Sequence, residues 1–158
     1  MRVAVIGAGM VGLSTTASLL QHGADVVCYD KGEPMGERST GESRIFRFAH
    51  TDAGLVELAV QSRAVFDSWS EDANERLIED TETVISGADV DAWSSAMASV
   101  GARHTVVDNQ SPLLRLPTST IPTASLIDHA GGVLKATRIG AYLRARFRCG
   151  SDGVSDAG

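Results

Sequence analysis

Several things are scarce in this chain, and each scarcity removes a class of function. There are two cysteines, Cys28 and Cys149, far apart and in no CxxC pair. Neither a disulfide framework nor a zinc site is therefore expected. Basic charge is short: 14 Lys and Arg stand against 20 Asp and Glu, for a net charge of −6. Phosphate backbones need a basic surface, so a general nucleic-acid partner is excluded. Lysine is almost missing, with Lys31 and Lys135 alone among the basic residues, a compositional habit rather than a functional signal. No apolar run reaches the roughly 18 residues of a membrane span. No basic leader precedes a cleavage site, so the expected location is cytoplasmic. No internal repeat, metal-ligand set or supported pair of carboxylates is visible. What remains is a chain of 158 residues, 43% hydrophobic and 22% charged, which reads as globular and as one domain or part of a larger one.

Glycine, by contrast, is concentrated where it should be costly. Residues Val5–Ser14 read VIGAGMVGLS, so Gly7, Gly9 and Gly12 follow directly on the apolar run Arg2–Ile6. That run suits a strand buried on both faces. Met10–His22 then shows helical spacing, with Val11, Leu13, Ala17, Leu19 and Leu20 apolar and Gly23 at the C-terminal cap. Ala24–Tyr29 is a second buried strand, and Asp30 ends it. Strand, glycine turn, helix, strand and acid, in that order, form half of a βαβ unit. In such a turn the first glycine allows the bend, the second lets a pyrophosphate approach the backbone, and the third lets helix and strand pack closely. The helix N-terminus offers free N–H groups and a partial positive charge. An acid at the position of Asp30 accepts ribose hydroxyls and disfavours a 2′-phosphate, so the adenosine of FAD or NAD is expected and NADP is not.

Further along, Lys31–Ser43 reads as a polar, glycine-containing loop and Arg44–His50 as a mixed basic and aromatic stretch. Asp52–Ser70 is expected to be helical, with Asp52 as its N-cap and Leu55, Leu58, Ala59, Ser62, Val65, Phe66 and Trp69 on its packing face. Leu77–Ser86 is a strand pair or one irregular strand. Asp89–Val100 is a helix capped by Asp89 or Asp91, and Arg103–Val107 a strand. Pro112, Pro117 and Pro122 make Asp108–Pro122 a loop. A strand is expected around Gly131–Gly132 within Ile127–Leu134, and a last helix over Ala136–Phe147. Trp69, Trp93 and Cys28 read as core. Glu71, Asp72, Glu75, Glu79, Asp80 and Glu82 read as a solvated face and loop. His50 is open between an active-site group and a surface residue. The last stretch, Arg148–Gly158, has no periodicity and is expected to be a disordered or aberrant tail.

The opening VAVIGAGMVGLSTTASLLQHGADVVCYDKGEP, followed by STGESRIFRFAH, resembles the D-amino-acid-oxidase-type FAD-dependent oxidoreductases, and among them the sarcosine oxidase and N-methyl-amino-acid oxidase branch. The matching residues after the ribose acid are Ser39, Thr40, Gly41, Ser43, Arg44 and Arg47. The likeness extends as pattern to about residue 146. It implies an α/β chain: a Rossmann-like FAD/NAD(P)-binding βαβ domain, incomplete, with part of a substrate-domain insertion. Residues 1–147 would hold the FAD-binding domain and the start of the substrate domain. It also implies FAD held by Gly7, Gly9, Met10, Val11, Gly12, Asp30, Lys31, Ser39, Thr40, Ser43 and Arg44. Arg44 would stabilise the charge that the flavin ring gains on reduction, and Arg47 would grip a substrate carboxylate. The implied reaction oxidises the C–N bond of an amino acid or secondary amine, with oxygen as acceptor. The family's full chain is more than twice as long, so the sheet is expected to be incomplete and prone to self-association or a partner chain. Cys149 does not match a flavin attachment site. The competing readings are an NAD-dependent dehydrogenase, against which Ser39–Arg47 argues, and an inactive FAD-binding fragment that needs a second chain.

Overall fold

The computed structural model describes residues 1–108, 110–114 and 124–148. Of the expected tail, residues 149–158, with Cys149, lie outside them, as do Pro117 and Pro122, while Arg148 ends the last helix rather than opening a tail. The chain divides into two units, residues 1–44 with the chain from Lys135 onward, and Ile45–Leu134.

In the first unit, β1 (Arg2–Ile6) and β2 (Asp25–Tyr29) pair in parallel, with Val3 opposite Val26 and Val5 opposite Cys28. Between them runs α1 (Met10–Gln21), which buries Leu13, Thr16 and Ala17. The order is that of the half βαβ unit read from the sequence, and Cys28 is fully buried in it. β1 is not buried on both faces as expected: Arg2, Ala4 and Ile6 are exposed, Ile6 to 80%, because α1 covers the face that carries Val5 and leaves the other open among the described residues. Val11 departs from the expected apolar face and is 80% exposed. The repeat of 3.6 residues per turn gives the sheet side to Leu13 and Ala17 and turns Val11 away. A later helix, Ala136–Arg148, packs on α1 and buries Ile139 and Leu143; it is α4 in chain order.

The second unit is built on an antiparallel sheet. β5 (Thr83–Ser86) and β6 (His104–Asp108) flank β7 (Ala124–Asp128), with Val84 and Thr105 both opposite Ile127. α3 (Val90–Ser99) packs on β6 and β7 and buries Met97 completely. Another small sheet has the order β3 (Ser43–Phe46), β8 (Gly132–Lys135), β4 (Ile78–Glu79). Two expectations need correction here. Gly131 and Gly132 do not centre a strand: residues 129–131 turn the chain between β7 and β8, and the Asp128 carboxylate accepts the amides of Ala130 and Gly131 to hold that turn. Of the two readings of Leu77–Ser86, the structure has two short strands, β4 and β5, which lie in different sheets. Ser43–Phe46, expected at the junction of a loop and an irregular stretch, is a strand.

The long helix α2 (Ala53–Ala73) is capped by Asp52 as expected, its side chain accepting from the Leu55 amide at 3.0 Å. Its packing face is the expected one only in part: Ala59 is buried and Phe66 packs edge-on against Phe46 and Trp69. Val56 and Ala59 are buried, whereas Leu55, Leu58 and Val65 are 49%, 56% and 45% exposed. Beside the expected Ala59 and Phe66 the inner stripe takes in Val56, Arg63 and Ser70, an arginine among them that a hydrophobicity count passes over. Arg63 donates to Asp67 and Asp80, the latter at 2.5 Å, and to the Ala130 carbonyl at 3.1 Å. Burial opposes its charge, but the Asp80 and Asp67 carboxylates outweigh this and raise its pKa. Arg76 pairs with Glu79 and Asp80, and Glu82 with His129, so this acidic run is in part an ion-pair network rather than only a solvated face. Replacing Arg63 with Met keeps the packing stem and removes the donors. The expected loss is about 1–2 kcal/mol in urea unfolding, since the acidic partners are half-exposed and screened.

Candidate cofactor site

The glycine turn is built as its spacing demands. Gly7 adopts φ +101°, a conformation that side chains rarely take, and its amide donates to the Tyr29 carbonyl at 2.7 Å. A Cβ at Gly12 would lie 1.7 Å from the Gly7 carbonyl oxygen, so only glycine lets α1 start this close to β1. A Cβ at Gly9 would lie 3.0 Å from the Ser39 hydroxyl.

Asp30 closes the turn from the far side. Its Oδ2 accepts the Ala8 amide at 2.5 Å and its Oδ1 accepts the Gly32 amide at 3.1 Å. Those amides, Ala8 first, hold the carboxyl below its ordinary pKa of 3.8. Each oxygen keeps a further lone pair for a hydroxyl donor. Lys31 forms an ion pair with Glu37 at 2.9 Å, and that partner raises its pKa. Around these groups lies a cleft of about 620 Å³, lined by Gly7, Gly9, Asp30, Lys31, Ser39 and their neighbours.

One expectation changes. The amides at the head of α1 are not all free. Ala8 gives its N–H to Asp30, and Met10 gives its N–H to Ser39 Oγ at 3.0 Å. The helix has Gly9 at its N-cap and no side-chain cap of its own. Among the described residues, the amides of Gly9 and Val11 carry no partner.

The other expected site residues are placed as follows. Thr40 donates its hydroxyl to the Glu37 and Met35 carbonyls, inside the loop. Ser43 is exposed at the start of β3. Arg44 donates to the carbonyls of Ser43 at 2.6 Å, of Arg38 at 2.8 Å and of Thr40. The structure thus gives Arg44 a loop-holding task that spacing alone did not suggest. Arg44 lies in the strand β3.

In the second unit, Arg47 lines a cavity of about 1180 Å³ with Glu82, Thr83, Val84, Ile127, His129 and others. His50 is partly buried rather than a plain surface residue. Burial first, and then the Arg47 charge, hold it below its ordinary pKa against the opposing pull of Asp128, which favours the neutral ring near pH 7. Sequence reasoning missed Asp128 itself, a fully buried carboxylate that organises the loop at Phe48 and Ala49. The signal was available as Asp-His-Ala-Gly-Gly, an acid opening a glycine turn. It also missed Glu82, His129 and Thr105, which form a hydrogen-bonded chain of 2.6 and 2.8 Å across the strand ends. Among the described residues, no group of His, Cys, Asp and Glu could hold a metal ion. No helix among them is long and apolar enough to cross a membrane.

Comparison with known proteins agrees with this geometry. The family model for FAD dependent oxidoreductases (DAO) matches residues 2–149. None of the curated proteins matches. Among solved structures, L-proline dehydrogenase from P. horikoshii superposes with a TM-score of 0.76 at 16% identity, over 93% of this chain and 41% of that one. NikD, described as an unusual amino acid oxidase essential for nikkomycin biosynthesis, gives 0.72 at 17%, over 92% and 40%. Glycine oxidase from Geobacillus kaustophilus gives 0.68 at 19%, over 90% and 43%. At these identities the likeness concerns the fold, and the chain spans about two fifths of each structure's length. With the family model matched over nearly the whole sequence, the chain belongs to the DAO family of FAD-dependent oxidoreductases.

Proposed function

We propose that the first unit holds the adenosine and pyrophosphate of FAD, and that the chain serves an oxidoreductase acting on the C–N bond of an amino acid or secondary amine. The observation that carries this is the Asp30 carboxylate locked onto the Ala8 amide at 2.5 Å, at the mouth of the cleft. It fixes the acid at the end of β2 beside the turn that only Gly7 and Gly12 can form. The residues fit the group. Glycine at position 9 leaves the floor of the cleft without a Cβ, the amides of Gly9 and Val11 are free for a diphosphate, and Asp30 takes the ribose hydroxyls. Met10, Lys31, Ser39, Thr40 and Ser43 complete the set on the polar side.

When bound, FAD supplies the two-electron acceptor that oxidises the C–N bond, with oxygen as the terminal acceptor. The chain's own residues position and neutralise. Arg44 holds the loop of residues 38–43 through three carbonyls, and we assign its charge to the flavin ring. Arg47 offers a planar fork to a substrate carboxylate. The NikD, proline dehydrogenase and glycine oxidase structures support the class of substrate by their described activities, and the sarcosine oxidase branch is the finer reading from the Ser39–Arg47 segment.

The test is titration of the purified chain with FAD, read by quenching of flavin fluorescence, alongside NADH. FAD is expected to bind and NADH to bind far more weakly. Asp30→Ala should weaken FAD about ten- to a hundred-fold, the size of a lost charge-assisted hydrogen bond. Acid should act through the same group. Its folded pKa is depressed, so its contribution is present above about pH 4. That contribution is lost as pH falls through the lower folded value. A chain that takes up NADH and no FAD would transfer the reading to a nicotinamide dehydrogenase.

A further inference from the structure

The cavity that Arg47 lines, about 1180 Å³, is formed by residues of the second unit alone. Arg47 is half-buried there and, among the described residues, makes no hydrogen bond or ion pair. Two acids line the same cavity. Asp80 is already paired, with Arg63 at 2.5 Å and Arg76 at 3.2 Å. Glu82 is different. Its Oε1 meets His129 Nδ1 at 2.6 Å, and its Oε2 has no hydrogen-bond partner among the described residues. On the other side of the ring, Thr105 Oγ1 lies 2.8 Å from Nε2. With that hydroxyl donating to Nε2, the ring gives its single N–H to Glu82 and leaves the carboxylate its negative charge. Glu82 also adopts φ +57°, a left-handed backbone that residues of its type seldom enter and that persists where the surroundings fix it. Its side chain is half-exposed, so a ligand can reach it. Much of the remaining wall is aliphatic: Ile45, Val84, Leu113 and Ile127 are part of it, and Ile45 and Leu113 are 76% and 59% exposed.

We propose that Glu82 is a specificity-determining residue of this cavity, taking an ammonium group that the ligand carries several bonds away from the carboxylate on Arg47. The ligand class is an aliphatic chain with unlike charges at its two ends, as in an amino acid with a cationic side chain. The inference rests on the reading of Arg47 above and deepens it. Its logic is complementarity: an unpaired cation, an acid with an open oxygen and an aliphatic wall together match such a molecule. A simple monocarboxylate would leave Glu82 unanswered. A dicarboxylate would bring its second charge against Glu82 and be repelled.

Titration of the full chain at neutral pH, followed by NMR chemical shifts, tests this with unbranched ω-amino acids of about four to eight carbons and the matching plain carboxylates. The best ω-amino acid should bind about ten-fold tighter than its plain carboxylate, the worth of one charge-assisted contact at a half-exposed acid. The matching dicarboxylate should bind more weakly than either. Glu82→Gln should erase the ammonium preference. Glu82→Asp, one methylene shorter, should move the preferred ω-amino acid about one carbon longer, a shift that an acid with a merely structural role would not produce. Equal affinities for the two ligand types in wild type, or a preference that survives Glu82→Gln, would overturn the proposal. Should Glu82→Gln fail to fold, the wild-type comparison still decides. Arg47→Met should weaken both ligand types about ten-fold, and no loss there would remove the carboxylate reading of Arg47 together with the inference built on it. A wild-type chain that quenches no flavin fluorescence removes the FAD reading, an outcome separate from all of these.

Discussion

Asp128→Ala is expected to cost about 4 kcal/mol or more, enough to unfold most of the second unit of a marginally stable chain. The carboxylate is fully buried and accepts four backbone amides. Oδ2 takes Phe48 at 2.5 Å and Ala49 at 3.3 Å, and Oδ1 takes Ala130 at 3.1 Å and Gly131 at 3.0 Å. Alanine leaves the Phe48, Ala49 and Ala130 amides without their acceptor, while Gly131 keeps the residue-128 carbonyl at 3.2 Å, and each orphaned buried donor costs about 1–3 kcal/mol before relaxation. Water entering the gap would recover part of this, which is why the expected sum is less than three times the unit value. Asp128→Asn separates shape from charge. It keeps one acceptor oxygen but turns an amide group toward two donors, so it should cost about 2–3 kcal/mol rather than be neutral. Urea unfolding with a constant slope reads both changes. A loss below about 1 kcal/mol for alanine would mean that those segments hold their shape without the carboxylate.

The reason Asp128 escaped the sequence and Asp30 did not is physical. Asp30 acts inside one βαβ unit, where strand, turn, helix and acid have a fixed spacing that can be measured along the chain. Asp128 acts across 80 and 79 positions, on amides at Phe48 and Ala49 that carry no mark of their own. The same contrast holds elsewhere. The bounds of β1, α1 and β2 are nearly as read because their period and glycine punctuation are local, while the open face of β1 depends on what packs there and was not legible. The inner face of α2 was only partly read because the stripe that packs also contains Arg63, whose ion pairs with Asp67 and Asp80 make burial of a charge tolerable. Hydrophobic periodicity weighs each residue alone and cannot see a partner contributed from another element. In the candidate site, residue types and order were legible. The partners of Ser39 and Arg44 were not, since a loop's own carbonyls and a helix's leading amide compete for side chains in ways that only the folded chain reveals.

Gly12→Ala should reverse the ordinary sign of that exchange. In an exposed helix, alanine in place of glycine stabilises by about 1 kcal/mol. Here the added carbon would meet the Gly7 carbonyl oxygen at 1.7 Å and its carbon at 2.9 Å. Both are backbone atoms of the turn, which cannot rotate away as a side-chain tip would. Either α1 retreats from β1 or the turn opens, and overpacking of this kind costs about 1–3 kcal/mol or more. The same displacement moves the Gly9 and Val11 amides relative to Asp30, so FAD affinity should fall at least about ten-fold, beyond what stability alone explains. Gly23→Ala is the comparison that separates space from backbone conformation. Gly23 has φ +74°, and a methyl group there would meet nothing within 4 Å, so alanine should cost about 1–2 kcal/mol through backbone strain alone. It should leave FAD binding unchanged. Equal losses of FAD affinity in both variants would mean that binding follows overall stability rather than the close approach at Gly12. A stable Gly12→Ala chain with wild-type affinity would mean that the turn is loose enough to move aside, and the case for a pyrophosphate held against rigid backbone would go with it.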